Sequence, residues 1–226
     1  MQQHTVRIWD LPTRLFHWSL AAAVVALVVT AKLGGSAMQW HLRLGYVVLA
    51  LLAFRLLWGF VGGRWSRFAS FLYAPARLLP YLRGRGQPQV DEVGHSPLGA
   101  LSVFALLAAL ALQVASGLAS DDEISFTGPL AQYLSGLWVG RATWYHADVG
   151  QYLLYALVGL HVLAIAFYAL VRRRAIVRPM LTGDKALPQA VPPSRDDGAS
   201  RARAAVLLAL CALAAWWVSR LDAGGF

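Results

Sequence analysis

The chain has 226 residues, of which 58% are hydrophobic and only 14% charged, with a net charge of +9. A soluble domain carries about 25% charge, so this composition describes an integral membrane protein, one domain by length. The single cysteine, Cys211, excludes an internal disulfide, a multi-thiolate metal site, a Cys-ligated iron–sulfur cluster and covalent C-x-x-C-H haem attachment.

The first span starts near Leu11, with Asp10 as N-cap and Pro12 in the first turn, and runs to about Lys32 before Gly34-Gly35. Its basic lead-in superficially resembles a signal peptide. No cleavage site follows promptly and His17 lies inside it, so the span is expected to be retained. The second span covers about Trp40 to Phe60. From Gly62 to Gly94 the chain is basic, with Arg64, Arg67, Arg77, Arg83 and Arg85. Pro75 and Pro80 limit any helix there to a short interfacial one.

The third span opens at Ser96-Pro97, an N-cap followed by proline, and reaches about Leu118. A loop from Ala119 to Thr143 begins with Asp121-Asp122-Glu123, and the fourth span runs from Trp144 to Arg174. A basic, proline-containing linker follows. The last apolar run, Ala204 to Val218, has 15 residues, short of the roughly 20 that cross a bilayer. Arg203 and Arg220 can snorkel and extend it to a fifth span.

The expected organisation is a membrane domain over 1–185, a cytoplasmic linker over 186–203, and an extra transmembrane helix with its tail over 204–226. Fifteen Lys and Arg residues fall on the side of the N-terminus, the second loop and the linker, against four on the other. The positive-inside rule then puts the N-terminus in the cytoplasm. The basic residues sit mostly at span ends, so no nucleic-acid partner is needed.

Histidines inside membrane spans are costly and mark functional sites. His146 and His161 lie 15 residues apart on one broad face of the fourth span, about 22 Å along its axis. By depth, His17 pairs with His161 near the cytoplasmic side, and His41 with His146 near the outer side. A bare metal ion wants more protein ligands than two. Asp148, the one carboxylate close to either pair, points away from His146. Haem supplies four nitrogens and needs only two axial ligands.

Gly45, Gly150 and Ala21 lie at i+4 from His41, His146 and His17, and Ala164 at i+3 from His161. They suit a flat macrocycle, or equally close helix packing. Arg55 lies 14 residues from His41 on nearly the same face, near the His17–His161 level. It either pairs with a haem propionate or snorkels; Arg14 and Arg141 are weaker propionate candidates. His4 reads as part of a frayed terminus and His95 as an interfacial residue.

Six pieces carry a resemblance to a known family. They are WDLPTRLFHW (Trp9 to Trp18), WHLRLGY (Trp40 to Tyr46), FRLLWGF (Phe54 to Phe60), GHSPLGALSV (Gly94 to Val103), LVGLHVLAIAFY (Leu157 to Tyr168) and VRPMLTGDK (Val177 to Lys185). In order and spacing the chain resembles the bacterial cytochrome b-561 type membrane cytochromes over roughly residues 5 to 185. Ser96 stands where that family often has asparagine. The resemblance implies an all-α integral membrane protein. A four-helix bundle would hold two b-type haems on His17, His41, His146 and His161 in the bacterial inner membrane, exchanging electrons with quinone.

Three functions are open to such a chain. The first is an electron-transfer subunit between quinone and an external partner, a c-type cytochrome or a hydrogenase, rather than a stand-alone enzyme. The acidic loop would steer a basic partner or simply be solvated. The second is a superoxide oxidase that reduces quinone, with Arg141 drawing in the anion. The third is a haem-free transporter or proton relay built on the same histidines.

Overall fold

The computed structural model describes residues 3–83, 85 and 93–221. Residues 84 and 86–92 of the basic stretch and the tail 222–226 lie outside the described residues. The elements in chain order are β1 (His4–Arg7), α1 (Leu11–Leu33), α2 (Met38–Val61), α3 (Pro75–Leu82), α4 (Pro97–Leu118), α5 (Gly136–Val171), α6 (Val177–Thr182), β2 (Asp184–Leu187) and α7 (Gly198–Val218). Among the described residues five helices, α1, α2, α4, α5 and α7, are long and apolar enough to cross a membrane. The protein is an all-α integral membrane protein. Its large outward side chains are apolar, as lipid requires: Val25 is 64% exposed, Leu163 67% and Leu170 77%.

By internal packing the chain divides into two compact units. One comprises Met1–His17, Arg55–Ala105 and Leu160–Val206; the other Trp18–Phe54, Leu106–Gly159 and Leu207–Phe226. The core of the second is built from Ala23, Val48, Leu52, Ala109, Leu110 and Leu154, so α1, α2, α4 and α5 each contribute. Ala23 and Ala109, the small residues among them, let helix backbones approach where no hydrophobic force drives them together.

The first unit is organised by polar contacts. Asp10 is fully buried. Its Oδ1 caps α1 by accepting from the Thr13 amide at 2.8 Å, and also accepts from the Trp58 indole at 3.2 Å. Its Oδ2 accepts from the Gly63 amide at 3.1 Å and the Ser66 hydroxyl at 2.6 Å. One carboxylate therefore locks the start of α1 to the end of α2. A Cβ at Gly63 would collide with that oxygen, so only glycine brings its amide this close.

β1 pairs antiparallel with β2, from His4 opposite Leu187 to Arg7 opposite Asp184. His4 is thus held in a ladder and is not a frayed end. Arg7 donates to Asp184 at 2.6 Å and to Asp196 at 2.7 Å. Asp196 also accepts from the Leu11 amide and from Arg201. The Ser194 hydroxyl donates to the Ile8 carbonyl at 2.6 Å. The segment expected to be a linker is therefore tied along the N-terminal strand.

Two helix starts differ from the sequence expectation. α7 begins at Gly198, six residues before Ala204, because Asp197 caps it through the Ser200 amide at 2.8 Å and Asp196 neutralises Arg201. α5 begins at Gly136, eight residues before Trp144, with Arg141 stacked 5.0 Å from the Trp138 ring. That amphipathic lead-in was read as loop because its aromatic and charged residues break the apolar run.

Replacing Asp10 with alanine leaves four donors facing a dry interior. Asp10→Ala is expected to destabilise the fold by about 3 kcal/mol, with Asp10→Asn intermediate, read as the thermal unfolding midpoint of the purified protein in detergent.

Candidate functional site

The four intramembrane histidines come together as two pairs, one in each unit. In the second unit, the rings of His41 and His146 have centroids 6.1 Å apart. The His41 Nδ1 lies 3.0 Å from the Leu27 carbonyl oxygen, and the His146 Nδ1 lies 2.9 Å from the Gln113 carbonyl oxygen. A carbonyl can only accept, so each Nδ1 carries the proton and each Nε2 keeps a free lone pair. A ring nitrogen fixed this way orients the other as a metal ligand.

Local structure explains how His146 is held. It sits in a widened i→i+5 turn spanning Tyr145–Gly150, a geometry found mostly at functional sites. The carbonyls of His146 and Ala147 take side-chain donors there, Gln113 Nε2 at 2.9 Å and Gln151 Nε2 respectively. Gly117 matters through absence: a Cβ there would stand 2.7 Å from His146 Cε1. Gln113 and Gly117 are the residues that sequence reasoning missed. The available signal was a lone glutamine with a glycine one turn later in an otherwise apolar span.

In the first unit, the rings of His17 and His161 have centroids 6.5 Å apart, and both residues are half-buried. An imidazole–metal–imidazole axis, with metal–nitrogen bonds of roughly 2 Å, sets two ring centroids about 6 Å apart. Both pairs fit that spacing. Among the described residues no three or more His, Cys, Asp or Glu gather as a metal site. The donor sets therefore suit a metal that brings its own equatorial ligands, as haem does.

The cradle expected around each ring is partly present. A Cβ at Gly45 would meet nothing within 4 Å, which leaves room for a flat group one turn from His41. Gly150 differs from its expected role: the Gln113 side chain and the Tyr145 ring already fill its face.

Arg55 lies in the same unit as His17 and His161 and is only 3% exposed, its guanidinium 4.6 Å from the Phe68 ring centroid. Arg14 donates to the Leu181 carbonyl, and Arg141 is exposed. The acidic loop is folded on itself. Asp122 Oδ1 accepts from the amides of Ile124, Ser125 and Phe126, and bonds of this kind, led by that of Phe126, hold its carboxyl below the usual range.

His95 differs most from expectation. It is packed between the rings of Trp9, at 4.6 Å, and Phe71, at 4.3 Å. GHSPLG reads as a helix start, and nothing local in it says that the histidine turns inward. Burial first, then the charges of Arg55, Lys185 and His17, push its pKa down to about 3. The unfolded chain takes up this proton near pH 6.5 and the fold does not, so stability falls as pH drops through that window. At pH 5 the loss is about 2 kcal/mol. The unfolding midpoint of protein stripped of prosthetic groups is expected to fall between pH 7 and pH 5, and His95→Gln to flatten that slope.

A family model described as prokaryotic cytochrome b561 matches residues 8–183. A probable Ni/Fe-hydrogenase B-type cytochrome subunit of Bradyrhizobium diazoefficiens is 24% identical over 217 residues, covering 80% of this chain and 86% of that protein. Proteins of the same description from Azotobacter chroococcum and Azotobacter vinelandii are 29% and 28% identical, each covering 80% of this chain and 89% of the relative. No solved structure matches the chain. Because the family match spans most of the 226 residues, the chain belongs to the prokaryotic cytochrome b561 family and is a membrane electron-transfer cytochrome of the b type.

Proposed function

We propose that the chain carries two b-type haems, one held by His17 and His161 and the other by His41 and His146, and relays electrons between quinone and an external redox partner. The observation that carries this reading is the ring spacing, 6.5 Å and 6.1 Å, within two pairs that gather no third ligand among the described residues. Haem iron, when bound, supplies a one-electron ferric–ferrous couple. A haem held by both histidines of a pair would have no site open for oxygen, which suits relay over substrate chemistry.

The chain's own residues fix the wire. Leu27 and Gln113 hold the tautomers of His41 and His146 through their carbonyls. Arg55 supplies buried positive charge in the unit that holds the His17–His161 pair and would favour the reduced state of a haem there. The relatives are described as hydrogenase cytochrome subunits. A hydrogenase is therefore the external partner we propose first, with a c-type cytochrome second. Residues 1–185 form the proposed haem domain, the cytoplasmic connection follows, and the added span starts at Gly198, earlier than the apolar run from Ala204 suggests.

We place the N-terminus in the cytoplasm of a bacterial inner membrane, from the fifteen-to-four split in Lys and Arg. In a Cys211-free background, Asp122→Cys is expected to label from outside and Arg83→Cys from the cytoplasm. The reverse pattern would invert the topology.

A reduced-minus-oxidised spectrum of the purified protein is expected to show b-type haem at about two per chain. His17→Ala and His161→Ala should each remove the same haem, and the double variant no more than either single. His41→Ala and His146→Ala should remove the other. Gly117→Val, which presses on the His146 ring, should disturb that second haem alone. Loss of one haem by both His17→Ala and His41→Ala would refute the pairing.

A further inference from the structure

Several buried polar groups remain once the packing of the first unit is accounted for, and two of them flank the same rings. The Arg55 Nη1 is buried without a hydrogen-bond partner, and so is the His95 Nδ1. Both flank one aromatic cluster. Arg55 stacks on Phe68 at 4.6 Å, Phe68 and Phe71 are 5.9 Å apart, and Phe71 lies 4.3 Å from His95. Phe104 closes the cluster at 5.6 Å from Phe68 and 5.4 Å from Phe71. His95 is within electrostatic reach of both Arg55 and His17.

Asp10 does not serve as the missing partner. Its charge reaches Arg55, but both of its oxygens already accept two donors each. A buried cation and a neutral imidazole whose Nδ1 can donate, walled by aromatic rings, suit an anion that accepts from both. Haem b carries two propionate carboxylates, and the His17–His161 pair lies in the same unit.

We propose that Arg55 and His95 together seat a carboxylate arm of the haem held by His17 and His161, Arg55 supplying the charge and the His95 Nδ1–H a neutral hydrogen bond. The inference rests on the reading that this pair holds a haem. It makes His95 a positioning residue with no place in the iron's coordination.

Reloading haem-depleted protein with iron protoporphyrin IX, or with its dimethyl ester, tests this by spectroelectrochemistry. With the free acid, His95→Leu is expected to lower the midpoint of one haem, the one that His17→Ala removes, and to leave the other unmoved. His95→Asn, which keeps a donor, should restore most of the shift. Arg55→Leu should lower the same midpoint, and the two shifts should not add, because both residues act on one carboxylate. With the ester, His95→Leu should cause no shift. His95→Phe, which keeps the packing on Trp9 and Phe71, gives the same comparison if the leucine variant does not fold. An equal shift with acid and ester, or none with either, overturns the inference while leaving the pair assignment intact. Full haem content in His17→Ala overturns both.

Discussion

The buried carboxylate of Asp10 is the constraint on which the first unit depends. A charged group with no solvent exposure is tolerable only when its oxygens are saturated, and here Thr13, Trp58, Gly63 and Ser66 do so. Each donor comes from a different local context: a helix start, a helix interior, a bare glycine and a short turn. The bonds therefore fix where α1 begins relative to where α2 ends. His17 is seven residues into the helix that Asp10 caps, and Arg55 is three residues before Trp58. The node thus sets the register of two residues at the proposed centre.

The two histidine pairs are supported differently. His41 and His146 are held through their Nδ1 atoms by backbone carbonyls, a rigid arrangement that survives side-chain motion. The His17–His161 centre shares its unit with a buried cation, Arg55. In a medium of low dielectric a fixed charge acts strongly on a nearby redox couple. The two proposed centres, alike in their ligands, would thus differ in potential through their surroundings, with the stronger influence on the one that shares its unit with Arg55.

Much of the architecture was legible in the sequence because membrane spans are long and apolar, a signal that no local detail obscures. The starts at Asp10 and Ser96 were readable as caps, and the histidines sorted by depth into the pairs that the rings form. What escaped was of another kind. The β1–β2 ladder joins two four-residue strands far apart in sequence, too short to show a period. The lead-in of α5 from Gly136 mixes Trp138 and Arg141 into an amphipathic turn. The widened turn at His146 and the inward packing of His95 depend on tertiary partners, Gln113 for one and Trp9 and Phe71 for the other. Asp10 was read as a cap, but its other three donors lie 48 or more residues away.

The ladder also has a consequence for synthesis. Arg7 emerges from the ribosome 177 residues before its partner Asp184. At about 5–20 residues per second that interval is roughly 9–35 s. Throughout it the first strand has an unpaired edge and Arg7 lacks Asp184, and by its end α1, α2, α4 and α5 are made. A nascent chain stalled before residue 184 would present that edge to other chains, and β-edges of this kind seed association. Closure of the N-terminal strand is thus a late event, and a chain truncated just upstream of β2 would keep α1, α2, α4 and α5 yet remain prone to aggregate.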